Sequence, residues 1–257
     1  MALDFSGRTV VVAGPAGSFA DAVAEQFAAQ GANVTQHHDG AAAAKWMETH
    51  DADPAALILT IDATDDGRLA DLDATAVEQL CAHRIAGAIA AINVALARMR
   101  QVGYGRIVAC VPPGATFGAE RGIASAIAGA AMTALIKSVA QSNRCFDLRA
   151  NCLSYVTATA ASEALFEEHP VLDPALFEVQ SVLPAITYLA HRSCELTGEV
   201  LSAAAGRFAK LYTASTLGVL APAQCDDAFG ETIPKLADTR FTFSPRTTID
   251  ELITINV

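Results

Sequence analysis

Short apolar, β-branched runs alternate with longer stretches of helical periodicity through most of this chain. Arg8-Thr-Val-Val-Val-Ala13 stops at Gly14, which predicts a buried strand. Phe19–Gln30 carries apolar residues at helical spacing and stops at Gly31. The same reading predicts strands at Asn33–His37, Ala56–Ile61, Gly105–Val111, Arg149–Tyr155 and Gly198–Ala203, the last of them closing the series. Helices are predicted at Ala41–His50, Val77–Gln101, Ile123–Asn143 and Val182–His191. Strands alternating with helices predict an α/β fold with a doubly wound parallel sheet. No linker-like stretch or repeat interrupts it. The expectation is one domain over residues 1–219, with a C-terminal extension over 220–257 that packs on the same domain or on a partner subunit.

Composition narrows the function classes. Hydrophobic residues make up 52% and charged residues 18% of the 257, too apolar for a disordered chain. The net charge of −11 argues against nucleic acid, which is held by clustered Lys and Arg. The longest apolar stretches, Ile85–Ala97 and Gly122–Ile136, fall short of the roughly 20 residues a membrane-spanning helix needs. The amino terminus shows no signal-type segment, and the six scattered cysteines lack Cys-x-x-Cys spacing. A cytoplasmic protein with reduced thiols, bound neither to membrane nor to nucleic acid, is the expectation. The two long helices are rich in Ala and Gly, so they have little polar surface to show to water. That pattern suits helices covered on one side by a sheet and on the other by a second subunit.

In a doubly wound sheet the ligand site lies at the carboxyl ends of the strands, first at the turn after the first strand. Here the turn reads Gly14-Pro15-Ala16-Gly17-Ser18-Phe19-Ala20. A strand, a glycine-bearing turn and a helix together hint at a dinucleotide site, because glycine lets the backbone approach a pyrophosphate at a helix N-terminus.

With this element order, the chain resembles the short-chain dehydrogenase/reductases, whose fold is Rossmann-like. The resemblance spans residues 4–219. It rests also on Gly103-Tyr104-Gly105-Arg106-Ile107-Val108 and on the pair of long helices. The segments Leu189–Gly198, Ala205–Leu211 and Thr216–Gly218 resemble the branch acting on hydroxyacyl-CoA thioesters.

Set against that family's pattern, the functional positions are replaced. Its cofactor glycines fall on Gly14, Ser18 and Ala20, with Gly17 able to shift the register only in part. The acidic residue expected to hold the adenosine ribose falls on His38. Asp39 beside it has the right charge, though an exposed loop aspartate is the commoner case. Between His38 and Leu57 there is room for one short helix, where the family has a further strand and helix. The family's Asn-Asn-Ala-Gly reads Thr60-Ile61-Asp62-Ala63, and its Pro-Gly beside the nicotinamide reads Tyr155-Val156.

The resemblance implies catalysis by a Tyr with a Lys one helical turn on, a Ser and an Asn. These positions hold Ser125, Gly129, Pro112 and Arg84. Gly has no side chain, Pro no donor, and Ser125 without an adjacent base is an ordinary hydroxyl. Ser125 lies in no Gly-x-Ser-x-Gly elbow, and a small residue packing a helix is the commoner case. His37-His38 has no acidic or thiol partner at chelating spacing, so no metal is expected.

The resulting expectation is a non-catalytic subunit with no NAD of its own. It would pair with an active NAD-binding paralogue through helices 77–101 and 123–143 in a heterotetramer. The alternative is a stand-alone enzyme or an acyl-CoA-binding protein that has repurposed the emptied dinucleotide pocket.

Overall fold

The computed structural model of the chain describes residues 3–62, 67–218 and 238–253, together with 233 and 236. The chain divides into two compact units, Met1–Lys210 and Leu211–Val257. The boundary expected at 219/220 lies inside the second unit.

In the first unit, β1 (Thr9–Ala13), β2 (Asn33–His37), β3 (Pro54–Thr60), β4 (Tyr104–Val111), β5 (Asp147–Val156), β6 (Val200–Ala204) and β7 (Arg207–Leu211) form one sheet in the order β2-β1-β3-β4-β5-β6-β7. The five pairings from β2 to β6 are all parallel. β7 was not foreseen from the sequence. It follows β6 through a turn at Ala205 and Gly206, both at positive φ (49° and 75°). A two-residue connection of that hand joins antiparallel strands, so β7 is a hairpin partner of β6.

The apolar runs are explained by burial on both faces of the sheet, the rule for parallel strands between helical layers. Val10, Val12, Ile58, Val108 and Leu153 face α1 (Ser18–Ala29) and α7 (Leu183–Ala190), meeting Phe19, Val23, Phe27, Ile186 and Leu189. Alternate residues such as Val11, Leu57 and Ile107 are turned to the opposite face and are equally buried. That face is covered by α2 (Gly40–Thr49), α3 (Ala74–Val102) and α5 (Ile123–Ser142). By length and composition α3 and α5 are each long and apolar enough to cross a membrane, which the uninterrupted apolar runs did not reveal. Packing on β3, β4 and β5 accounts for the buried side of each.

β2 is an edge strand, with partly exposed residues along it. Among the described residues no strand lies outside it, in keeping with the shortened segment between His38 and Leu57. The chain goes from β1 out to β2 and returns by α2 to β3 on the other side of β1. The topological switch point, where such sheets carry their ligands, therefore lies between β1 and β3.

Arg106, from the motif that helped define the resemblance, is buried at the amino ends of β4 and β5. It donates to the carbonyls of Gly105, Asp147, His191 and Arg192, and its guanidinium lies 3.1 Å from the Asp147 carboxylate. Full satisfaction makes this buried charge a structural tie.

In the second unit β8 (Ser215–Thr216) pairs antiparallel with β9 (Thr242–Phe243), and α8 (Thr248–Ile253) follows. Ser215 Oγ donates to Glu251 Oε1 across 3.3 Å. Of the extension expected over 220–257, residues 220–237 other than 233 and 236, and residues 254–257, lie outside the described residues.

Candidate functional site

At the switch point the turn after β1 is drawn tightly against the end of β3. The Gly14 N–H donates to the His37 carbonyl at 3.0 Å. A Cβ on Gly14 would sit 1.7 Å from Thr60 Oγ1, so only glycine fits. Gly17 occupies the N-cap of α1, where no side chain caps the helix, and Ser18 starts the helix. Ala20 is buried in the core under the turn and does not reach the site.

Phe19 and Tyr155 meet beside this turn, at the wall of a cavity that Ala16 and Gly17 also line. Phe19 comes from the first turn of α1 and Tyr155 from the end of β5. Their rings are stacked, with centroids 3.9 Å apart. The Tyr155 hydroxyl donates to Asp62 Oδ1 at 3.1 Å. Burial pushes the Asp62 carboxyl above the ordinary aspartate value, against the Tyr155 hydrogen bond and the field of Arg84. Burial, with Asp62 beside it, pushes the Tyr155 phenol well up, so the phenol is a neutral donor.

On the ribose side Asp39 is not an exposed loop aspartate. It is buried to 8% exposure, and its Oδ1 accepts the Ala42 N–H at 2.7 Å as the N-cap of α2. Its other oxygen lies 3.3 Å from His38 Nε2 and 3.4 Å from His83 Nε2. The His38 ring is exposed. Immediately after Asp39, Gly40 touches α3: a Cβ there would lie 2.4 Å from the carbonyl carbon and oxygen of Gly87. Arg84 lines the narrow gap of about 10 Å³ that remains beside Gly14, Asp39 and Gly40. His37 Nε2 lies 2.9 Å from Thr35 Oγ1, and desolvation lowers the ring's affinity for a second proton. Among the described residues no group of three His, Cys, Asp or Glu is placed to hold a metal.

The positions matched to the catalytic residues are brought together only in part. Pro112 ends β4 and Ser125 lies in the first turn of α5, and both line one cavity. Ser125 is buried, and its Oγ donates to the Gly122 carbonyl at 2.8 Å. Gly129 lies beneath α4 (Gly114–Phe117), a short helix that the sequence reading missed. A Cβ on Gly129 would meet Ala115 Cβ at 2.9 Å and Pro112 Cδ at 3.1 Å. The seat for a lysine is therefore closed by the packing of α4 on α5.

The cavity, about 740 Å³, is bounded by the ends of β4 and β5, the loop before α5, and α6 (Glu163–Glu168). Across the described residues at this end, Arg68 lies 3.3 Å from Glu168 and 3.7 Å from Glu120, and Arg121 lies 4.0 Å from Glu168. Asp62, Phe19 and Tyr155 all line the cavity. Sequence reading saw Asp62 and Tyr155 as lost motif residues and missed that they meet. The available signal was their placement immediately after β3 and at the end of β5, where a doubly wound sheet puts its site.

On the ribose side α2 packs on α3 through glycine backbone and Asp39 Oδ1 is engaged in its helix cap, whereas Ala16 and Gly17 of the turn line the open cavity beside Phe19 and Tyr155.

No protein-family model and no curated protein matches the sequence. Among solved structures the chain is similar to the full-length peroxisomal multifunctional enzyme type 2 from Drosophila melanogaster. That likeness has a TM-score of 0.80 and 17% identity, over 99% of this chain and 49% of the other, so the chain spans about half of that enzyme's length. A short chain dehydrogenase from Mycobacterium avium is similar with a TM-score of 0.67 and 18% identity, over 91% of this chain and 94% of the other. A short chain oxidoreductase from Pseudomonas aeruginosa PAO1, described as containing an atypical catalytic center, has a TM-score of 0.67 and 16% identity, over 79% and 98%. Together these likenesses show that the chain has the fold of the short-chain dehydrogenase/reductases.

Proposed function

We propose that this chain is the non-catalytic subunit of a hetero-oligomeric, NAD-dependent hydroxyacyl-CoA dehydrogenase, and that an active short-chain dehydrogenase paralogue carries the chemistry. The observation that supports this reading most directly is the closed seat at Gly129, where Ala115 and Pro112 leave no space for a lysine. The chemistry of the family needs that lysine to lower the pKa of its tyrosine, and the tyrosine position is Ser125. Arg84 and Pro112 stand in for the remaining two groups. A chain with this wall binds no NAD and moves no hydride; the NAD is held by the partner.

The outer faces of the two long helices supply the means of pairing. Ala82, Ala86, Ile89, Asn93 and Ala97 form an exposed stripe on α3, and Ile127, Ala130, Ala131 and Ala134 form one on α5. Ile89 and Ile127 are 42% and 43% exposed, more than such side chains need be when they have a neighbour. Small residues let helices approach closely, so the same two helices of a paralogue could pack on these stripes as a four-helix contact. Two such pairs make a heterotetramer.

The system this proposal is similar to is the two-subunit 2-(hydroxy(phenyl)methyl)succinyl-CoA dehydrogenase of anaerobic toluene breakdown, in which one subunit is an inactive family member. On that reading the partner oxidises the benzylic alcohol to the ketone with NAD, and this chain holds the partner in its working assembly.

The test is to purify the chain alone and together with the paralogue, then measure native mass, NAD binding and hydroxyacyl-CoA oxidation. A mixed complex that turns over, beside a lone chain that neither binds NAD nor turns over, is the expected result. NAD binding or turnover by the chain alone would refute the reading. A homo-oligomer that binds an acyl-CoA would favour the second reading, a binding protein using the cavity of about 740 Å³.

A further inference from the structure

The cavity that survives at the carboxyl ends of the strands is the right size for a small organic molecule, and its lining is mostly apolar, with many Ala and Gly. Its charges are lopsided. Among the described residues that line it, Asp62, Glu120 and Glu168 are carboxylates, while Arg121 is a guanidinium and His169 an imidazole.

The outer carboxylates already have partners. Glu168 lies within 4.0 Å of both Arg68 and Arg121, and Glu120 lies 3.7 Å from Arg68. Asp62 is placed differently. It sits where the β3 end meets the cavity wall, and it receives the Tyr155 hydroxyl on Oδ1. A carboxylate offers about four acceptor positions, and one neutral phenol leaves most of them open. The positive field it feels is that of Arg84, which does not offset its burial, so the carboxyl stays above its ordinary value.

A partly buried carboxylate that forms no ion pair among the described residues, opening into an apolar and aromatic cavity, is complementary to an ammonium. The ammonium N–H groups would fill the open acceptor positions, and the charge would offset the desolvation that Asp62 now bears. The same wall repels phosphates and carboxylates, as does the net charge of −11 on the whole chain.

We propose that this cavity binds a small apolar primary amine, its ammonium paired with Asp62 and its hydrocarbon part against Phe19, Pro112 and Ala126. The inference goes beyond the non-catalytic reading and does not depend on a partner subunit.

Titration calorimetry on the full chain tests it, with 2-phenylethylamine as the probe and 2-phenylethanol and phenylacetate as the neutral and anionic analogues. The amine should bind about tenfold or more tightly than the alcohol, the difference expected of a charge-assisted hydrogen bond, and phenylacetate should not bind. Asp62→Asn should lose about that tenfold for the amine and leave the alcohol unchanged. Ala126→Leu should weaken both by narrowing the cavity. The comparison among the three probes uses the unaltered chain, so it stands even where a variant does not fold. Equal binding of amine and alcohol, preference for phenylacetate, no binding of the amine at millimolar concentration, or full amine affinity in a folded Asp62→Asn chain would each overturn the proposal.

Discussion

Phe19 and Tyr155 lie face to face, their ring centroids 3.9 Å apart and their planes inclined by 11°. One ring comes from the first turn of the helix that follows β1, the other from the end of β5. They meet at the wall of the cavity that Ala16 and Gly17 of the turn after β1 also line. Each large side chain covers the apolar surface the other would leave exposed.

That stack is part of the core, with Phe19 3% and Tyr155 8% exposed. Truncating Phe19 to Ala removes a buried ring and should cost about 3–5 kcal/mol of stability. Phe19→Leu keeps most of the volume and should cost less. Urea unfolding of both variants checks this. A Phe19→Ala chain within about 1 kcal/mol of the parent would mean that the ring is not held by the core.

The contact of Gly40 with Gly87 should decide the sign of a substitution that helix propensity alone would favour. Alanine in a helix is preferred over glycine by roughly 1 kcal/mol. At Gly40 the added Cβ meets backbone at 2.4 Å, while at Gly87 the nearest atom is the Ala41 nitrogen at 3.1 Å. Gly40→Ala should therefore lower the melting temperature clearly, because α2 must be pushed off α3. Gly87→Ala should be close to neutral. Equal effects from the two variants would contradict the backbone contact.

Asp62 should carry a stability cost at neutral pH. Its carboxyl lies above the ordinary value of 3.8 in the folded chain because burial disfavours the charge. Between the ordinary value and the raised one, the folded state binds more protons than the unfolded state. Its contribution is then fully present below 3.8 and is lost as pH rises through the raised value. Asp62→Asn should melt higher than the parent at pH 7, and the gap should shrink as pH falls toward 4. A gap that widens on acidification would reverse the assignment. A carboxylate kept at the expense of stability is what a binding residue looks like.

Much of the sheet was legible before any coordinates. β1, β3 and β4 are continuous apolar runs, since strands buried on both faces exclude polar residues, and Gly31 and Gly103 mark helix ends at positive φ. β7 escaped because an edge strand reading Arg-Phe-Ala-Lys-Leu is mixed in character, and its turn uses Ala205 at positive φ, a position that favours Gly or Asn. The helix α4 escaped because four residues carry no periodicity. Asp39 was misread as a loop residue because its burial comes from α2 folding back on α3.

The order of residues was enough to set the doubly wound class, and the resemblance to match Arg84, Pro112, Ser125 and Gly129 to four positions of one family's pattern. Both follow from local periodicity and fixed spacing, which one chain carries along its length. Whether those vacated positions leave space was decided in three dimensions. Gly129 is sealed by Ala115 of α4, whereas Ser125 and Pro112 face an open cavity. Asp62 and Tyr155 became a hydrogen-bonded pair only because β4 lies between β3 and β5 in the sheet. Such contacts join residues far apart in sequence, and packing alone determines whether a missing side chain becomes a filled core or a pocket.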